Sequence, residues 1–242
     1  MAYISLKLPA GTSSRVEAIV RGQIDPLFAD VHSMMRLPIQ EVDLNAGCNF
    51  SATLVILELI AGVSVELYER PDLDRKAPRD QRKLRFKQLL DNHYPWNEER
   101  SLPGAITDEQ ASNILYEAFR NPLAHRLGIY DGGHSLGTIK IAKGPLSEPD
   151  IEAIEQAESR PANWTGPTLF TDGETKSDRT KTVLRVKSLY WGARRMIWNM
   201  VSAQALDKVK NNGNFKEDGI PLSTTATGAS ISSMDILPWR PK

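Results

Sequence analysis

The stretch TDEQASNILYEAFRNPLAH, residues 107–125, opens on Thr107 with Gln110 three positions later. A hydroxyl and an amide at that spacing can each satisfy a backbone N–H left unpaired at a helix start, so the pair predicts a capped helix. Ala111, Ile114, Leu115, Ala118 and Phe119 then recur at intervals of three and four. They make one apolar stripe, and a striped helix must bury it against other helices.

Working outward, the chain supplies those helices. Val16, Ile19, Val20, Ile24, Leu27, Phe28, Val31 and Met35 keep helical spacing over 13–36, with Pro26 expected to kink or split the helix. Residues 44–68 are apolar on nearly every side, which places that helix centrally, with Glu58 and Glu66 on one narrow seam. Residues 71–82 are charged and proline-containing and read as a loop before a short basic helix over 84–92, followed by a turn at Pro95. Asp131, Gly132 and Gly133 are turn residues, and 137–142 favours a strand or small hairpin. Ser147 caps a short helix entered through Glu148 and Pro149. Residues 159–182 are polar and turn-rich, and Leu189, Tyr190, Ala193, Ile197, Met200 and Val201 mark a long last helix over 186–209. The expected fold is mainly α, an antiparallel helical bundle of four or five main helices with a small β-hairpin or strand element. Residues 1–209 form the single domain. Residues 210–242, rich in Gly, Ser, Thr and Asn, form a flexible tail that Leu237 and Trp239 could pin.

With 242 residues the chain is long enough for one sizeable core, and 40% hydrophobic and 25% charged residues are ordinary globular proportions. Thirty basic and 30 acidic residues give a net charge of +0, so any site for a polyanion must be a local patch. The single cysteine, Cys48, excludes an intrachain disulfide and a CxxC cluster, in keeping with a reducing compartment. Residues 1–14 carry only Lys7 as a charge and lack an apolar run, so they do not read as a signal peptide. The most apolar stretch, 52–65, is interrupted by Glu58 and falls short of the roughly 20 residues that a bilayer requires. A cytoplasmic protein with no membrane partner is expected.

The chemistry concentrates in Arg120, Asn121, Pro122, Leu123, Ala124 and His125. An imidazole titrates near neutrality and can exchange a proton with a ribose 2′-hydroxyl or a leaving oxygen, while a guanidinium stabilises charge on a phosphoryl group. At about 100° per residue, positions five apart differ by about 140°, so Arg120 and His125 cannot share a face of a straight helix. Asn121 as a cap and Pro122 at a first helical position offer a bend, with a second helix restarting there. The segment resembles the signature of the HEPN superfamily, in which an arginine followed by a polar residue precedes a histidine by a few positions in a four-helix bundle. That resemblance covers the motif and the helical pattern around it. It implies a metal-independent endoribonuclease of toxin or phage-defence type, with His125 as general acid/base, Arg120 as phosphate or transition-state stabiliser and Asn121 positioning one of them. It further implies RNA as substrate, a homodimer that gathers basic groups from two copies, an antitoxin protein as possible partner, and no cofactor. Some relatives carry a tyrosine two positions after the histidine as a modification target; here that position is Leu127, although Tyr130 is close.

Other readings stay open. Arg120 also suits a helix C-terminus, where it favours the dipole, and His125 suits a partly buried histidine bonded to backbone. The same bundle could be a non-catalytic module that binds RNA, nucleotide or a protein, which the zero net charge favours slightly. His134 sits in a glycine turn and is expected to be exposed. Arg194 and Arg195, interleaved with Trp191 and Trp198, could stack RNA bases, but aromatics at that spacing on a long helix belong more often to the core. Glu58 and Glu66 could orient Arg120. His32 and His93 lack companion ligands in sequence, so no metal site is expected.

Overall fold

Thr107 is extended (φ −61°, ψ 148°), and its hydroxyl accepts from the Gln110 backbone N–H at 3.4 Å. The computed structural model describes residues 2–40, 48–68, 79–126, 138–142, 147–160, 166–173 and 180–208. Within them lie α1 (Ser14–Ile19), α2 (Asp25–Gln40), α3 (Asn49–Tyr68), α4 (Arg79–His93), α5 (Asp108–Ile114), α6 (Asn121–Arg126), α7 (Glu148–Gln156) and α8 (Val186–Ser202). Three strands, β1 (Thr138–Ile141), β2 (Leu169–Gly173) and β3 (Thr180–Leu184), accompany them. The protein is mainly α with a small strand element.

Two π-helical segments join helices that the sequence left separable: Val20–Ile24 between α1 and α2, and Leu115–Arg120 between α5 and α6. Each ends one residue before an X-Pro step, Asp25-Pro26 and Asn121-Pro122. Proline lacks an N–H, and its ring clashes with the carbonyl four residues back. Widening the preceding turn relieves that clash. The N–H of Asp25 reaches the carbonyl of Val20, and that of Asn121 reaches Tyr116, both five residues back. Pro26 therefore does not split its helix. Nor does a new helix restart at a capping Asn121, whose φ of −63° and ψ of −49° are helical.

α3 packs against α2, α4 and α8. Ala52, Ile56, Leu57 and Ile60 of α3 are buried, together with Phe28, Phe86, Leu89, Leu115, Phe119, Tyr190, Trp191 and Ile197 from its surroundings. Asn49–Leu67 is long and apolar enough by composition to cross a bilayer, with a mean hydropathy of 1.9, and 44% of its most apolar window is buried within the protein. α8 carries Gly192 where Tyr94 arrives: an added Cβ would lie 2.0 Å from the tyrosine oxygen.

Three differences from expectation have physical reasons. α4 starts at Arg79 inside the segment expected to be loop, because Arg, Gln and Lys are good helix formers even where no apolar stripe marks them. β2 and the first part of β3 lie inside the stretch read as turns; threonines and charged residues among their apolar positions hid short strands. β1 pairs parallel with β3, and β2 antiparallel with it, so β1 joins a mixed three-stranded sheet rather than a hairpin. α8 ends at Ser202, followed by a 3-10 turn over Leu206–Lys208. The expected tail, 210–242, lies outside the described residues, as do the turn around His134, Leu127 and Tyr130.

Candidate functional site

Arg120 closes the second π-helical segment, and its guanidinium turns toward the central helix. Nε lies 3.2 Å from Glu58 Oε1, and Nη2 donates to Glu58 Oε2 at 3.3 Å. Nη1 donates to the Asn121 side-chain oxygen at 3.2 Å, and the guanidinium carbon stands 5.8 Å from the Tyr116 ring centroid. Asn121 is buried and donates from Nδ2 to Glu117 at 3.4 Å, while Glu117 pairs with Lys83 at 2.9 Å. Three helices thus fix this end of the motif. Of the two seam acids, Glu58 is the one bonded to Arg120.

His125 lies in α6, five positions on; its side chain falls outside the described residues. The backbone from Asn121 onward is α-helical, so the two Cα positions stand about 140° apart around the axis. The backbone between them stays helical through Asn121-Pro122.

The tryptophan and arginine pattern of α8 divides. Trp191 is buried, and Arg194 is buried among Tyr3, Phe28 and Tyr190, with ring centroids 5.4–5.6 Å away. Arg195 stacks on Trp198 at 4.0 Å on the half-buried side. Arg194 is a core residue, as the commoner pattern for such spacing suggests.

A second polar cluster was not singled out from the sequence. His32 of α2, buried, places Nδ1 2.8 Å from Glu155 Oε1 of α7, and the Tyr190 hydroxyl donates to the same oxygen at 2.8 Å. Tyr190 also donates to the Phe28 carbonyl at 3.2 Å, and burial holds its phenol well above the ordinary tyrosine range. His32 Nε2 meets no hydrogen-bond partner among the described residues. Asp25, also buried, accepts from Tyr3, from the Leu6 N–H and from Arg21. A signal existed: Asp25 and His32 interrupt the apolar stripe of Ile24, Phe28, Val31 and Met35, and a polar residue on a buried face needs a partner.

A third network is structural. Glu99 accepts from the Thr168 N–H at 2.9 Å and its hydroxyl at 2.7 Å, and pairs with Arg160 at 3.1 Å. Burial raises the Glu99 carboxyl above its ordinary range, against the lowering effect of Thr168 and Arg160. Tyr94, which follows α4, meets the Thr168 hydroxyl just before β2 at 2.5 Å and donates to the Ser188 carbonyl of α8 at 3.4 Å. Among the described residues, no three His, Cys, Asp or Glu side chains come together as a metal ion would need.

No family profile, curated protein or solved structure matches this chain.

Proposed function

We propose that the chain is a HEPN-like, metal-independent endoribonuclease acting in the cytosol as a homodimer, of the toxin or phage-defence kind. The observation that carries this reading is the fixed Arg120: the motif arginine is oriented by Glu58 and by the adjacent Asn121, five positions before His125 on one unbroken helix. Cleavage next to a ribose needs a base to take the 2′-hydroxyl proton while that oxygen attacks phosphorus, and an acid to give a proton to the departing 5′-oxygen. One histidine cannot stand on both sides of the phosphorus. Two copies related by a two-fold axis supply two histidines and two arginines, which also answers the offset within one helix. Arg120 then stabilises the charge that builds on the phosphoryl oxygens.

A second reading has an observation of its own. The Arg120 side chain is only 17% exposed and is already held by Glu58, Asn121 and Tyr116, as suits a bundle that binds RNA or a protein without cutting it. Incubating the purified chain with labelled single-stranded RNA in chelator separates the two. Cleavage that disappears in His125→Ala supports the nuclease; retention of RNA without cleavage supports the module.

A further inference from the structure

Asn121 carries a primary amide, one end of which accepts hydrogen bonds while the other donates them. Its oxygen accepts from Arg120 Nη1 at 3.2 Å, and its Nδ2 donates to Glu117 Oε2 at 3.4 Å. A guanidinium offers only N–H groups and a carboxylate only lone pairs, so the two neighbours require opposite ends of the one amide. Turned over, the amide would set NH2 against N–H and oxygen against oxygen. Glu117 divides its own oxygens in a similar way. Oε2 takes the amide, while Oε1 stands 2.9 Å from Lys83 Nζ of α4.

The contacts run in one chain from Lys83 through Glu117, Asn121 and Arg120 to Glu58, and they tie α4 to α3 across the helix that bears the motif. Asn121 is its buried joint, with half-buried Glu117 and Lys83 on one side. Of the five N–H groups of Arg120, the one on Nε faces Glu58 Oε1, one on Nη2 bonds Glu58 Oε2, and one on Nη1 bonds Asn121. One N–H on each terminal nitrogen is left without a partner among the described residues. A donor on each of two neighbouring nitrogens suits the two-point grip of a guanidinium on a phosphoryl group.

We propose that Glu117 is a positioning residue for RNA cleavage, acting on Arg120 through the Asn121 amide, with Lys83 fixing the carboxylate. This rests on the nuclease reading above and adds α4 to it. Glu58 holds the guanidinium from Nε and Nη2, and the oriented amide holds it from Nη1, so the two remaining N–H groups keep one direction. Without Glu117 the amide is free to turn its NH2 toward Nη1. Donor then meets donor, the guanidinium swings, and its free N–H groups no longer meet the charge that builds on the phosphoryl oxygens.

Two substitutions of similar size separate this role from packing. Glu117→Gln keeps an acceptor for Asn121 Nδ2, whereas Glu117→Met fills the space without one. Cleavage of labelled single-stranded RNA is followed over a range of RNA concentrations, with thermal melts beside it. Glu117→Met should lower kcat by about tenfold with KM and melting temperature little changed, and Glu117→Gln should stay within about threefold of the parent. Asn121→Asp keeps the acceptor for Arg120 but sets a carboxylate against Glu117, and it should also lose about tenfold. Adding Glu117→Gln gives that carboxylate an amide donor, so the double variant should cleave faster than Asn121→Asp alone. Parent-like cleavage by Glu117→Met, or no gain in the double variant, would overturn the proposal and leave the nuclease reading standing. A parent that cleaves no RNA would overturn both.

Discussion

Arg120 Nε stands 3.2 Å from Glu58 Oε1, a contact that joins the motif's helix to the centre of the bundle. The two side chains are 17% and 41% exposed, so solvent screens the pair and its contribution to stability is about 1 kcal/mol or less. Its value lies in orientation. Glu58→Gln should lower the melting temperature by only a few degrees, as expected of so small a contribution. RNA cleavage should fall much further, by about tenfold, because a loosened guanidinium meets the phosphate poorly. Single-turnover cleavage beside a thermal melt reads both, and equal cleavage in the variant would separate Glu58 from the mechanism.

Glu99 gives a stability signature in pH. Burial raises its carboxyl in the folded state, so the folded protein holds that proton more tightly than the unfolded chain does. Its contribution is fully present below the ordinary carboxylate value and is lost as pH rises through the raised one. Exposed carboxylates such as Glu158, lowered by Lys7, act in the opposite direction at lower pH. Comparing urea midpoints of the parent and Glu99→Gln isolates the term. The parent should lose stability relative to the variant as pH climbs from about 4.5 toward neutrality. A constant difference across that range would contradict the shift.

α5 and α8 were legible through their stripes of apolar residues, and α3 through a run that is apolar on nearly every side. What escaped lacked a stripe or depended on remote partners. β2 and β3 are half polar, and β3 finds its parallel partner about 40 residues upstream. His32 was set aside because its companions are not nearby in sequence: Glu155 lies 123 positions away. Arg120 and Asn121 were legible as a pair, but their setting was not. The π-helical turn that carries Arg120 follows from Pro122, whose effect reaches backward along a helix that was expected to restart.

Gly192 admits Tyr94 to the core, and the structure leaves no room for a methyl group there. The tyrosine oxygen would lie 2.0 Å from an added Cβ, and Tyr94 is fully engaged with Thr168. Helix propensity alone would favour Gly192→Ala by about 1 kcal/mol, yet displacing a buried, hydrogen-bonded aromatic costs more, about 2–4 kcal/mol. The variant should therefore unfold at lower urea than the parent, with helical content kept at low denaturant. A midpoint above the parent's would mean that Tyr94 has somewhere else to go.

The arrangement of the proposed active site can be tested by mixing active and inactive copies. The backbone positions of Arg120 and His125 are about 140° apart around one helix. In the proposed dimer, base and acid come from the two histidines of two copies across a two-fold axis. Arg120→Ala and His125→Ala should each abolish cleavage as homodimers while keeping the parent's circular dichroism spectrum. Arg126→Ala should be mild. When the parent and His125→Ala are unfolded together and refolded as a mixture, mixed dimers hold a single histidine, which cannot serve as both base and acid, so activity should fall roughly with the square of the parent's fraction. Light scattering on differently tagged copies verifies that mixed dimers formed. Activity that falls only in proportion to the parent's fraction would refute a shared site, and a monomer at micromolar concentration would remove the dimer from the mechanism.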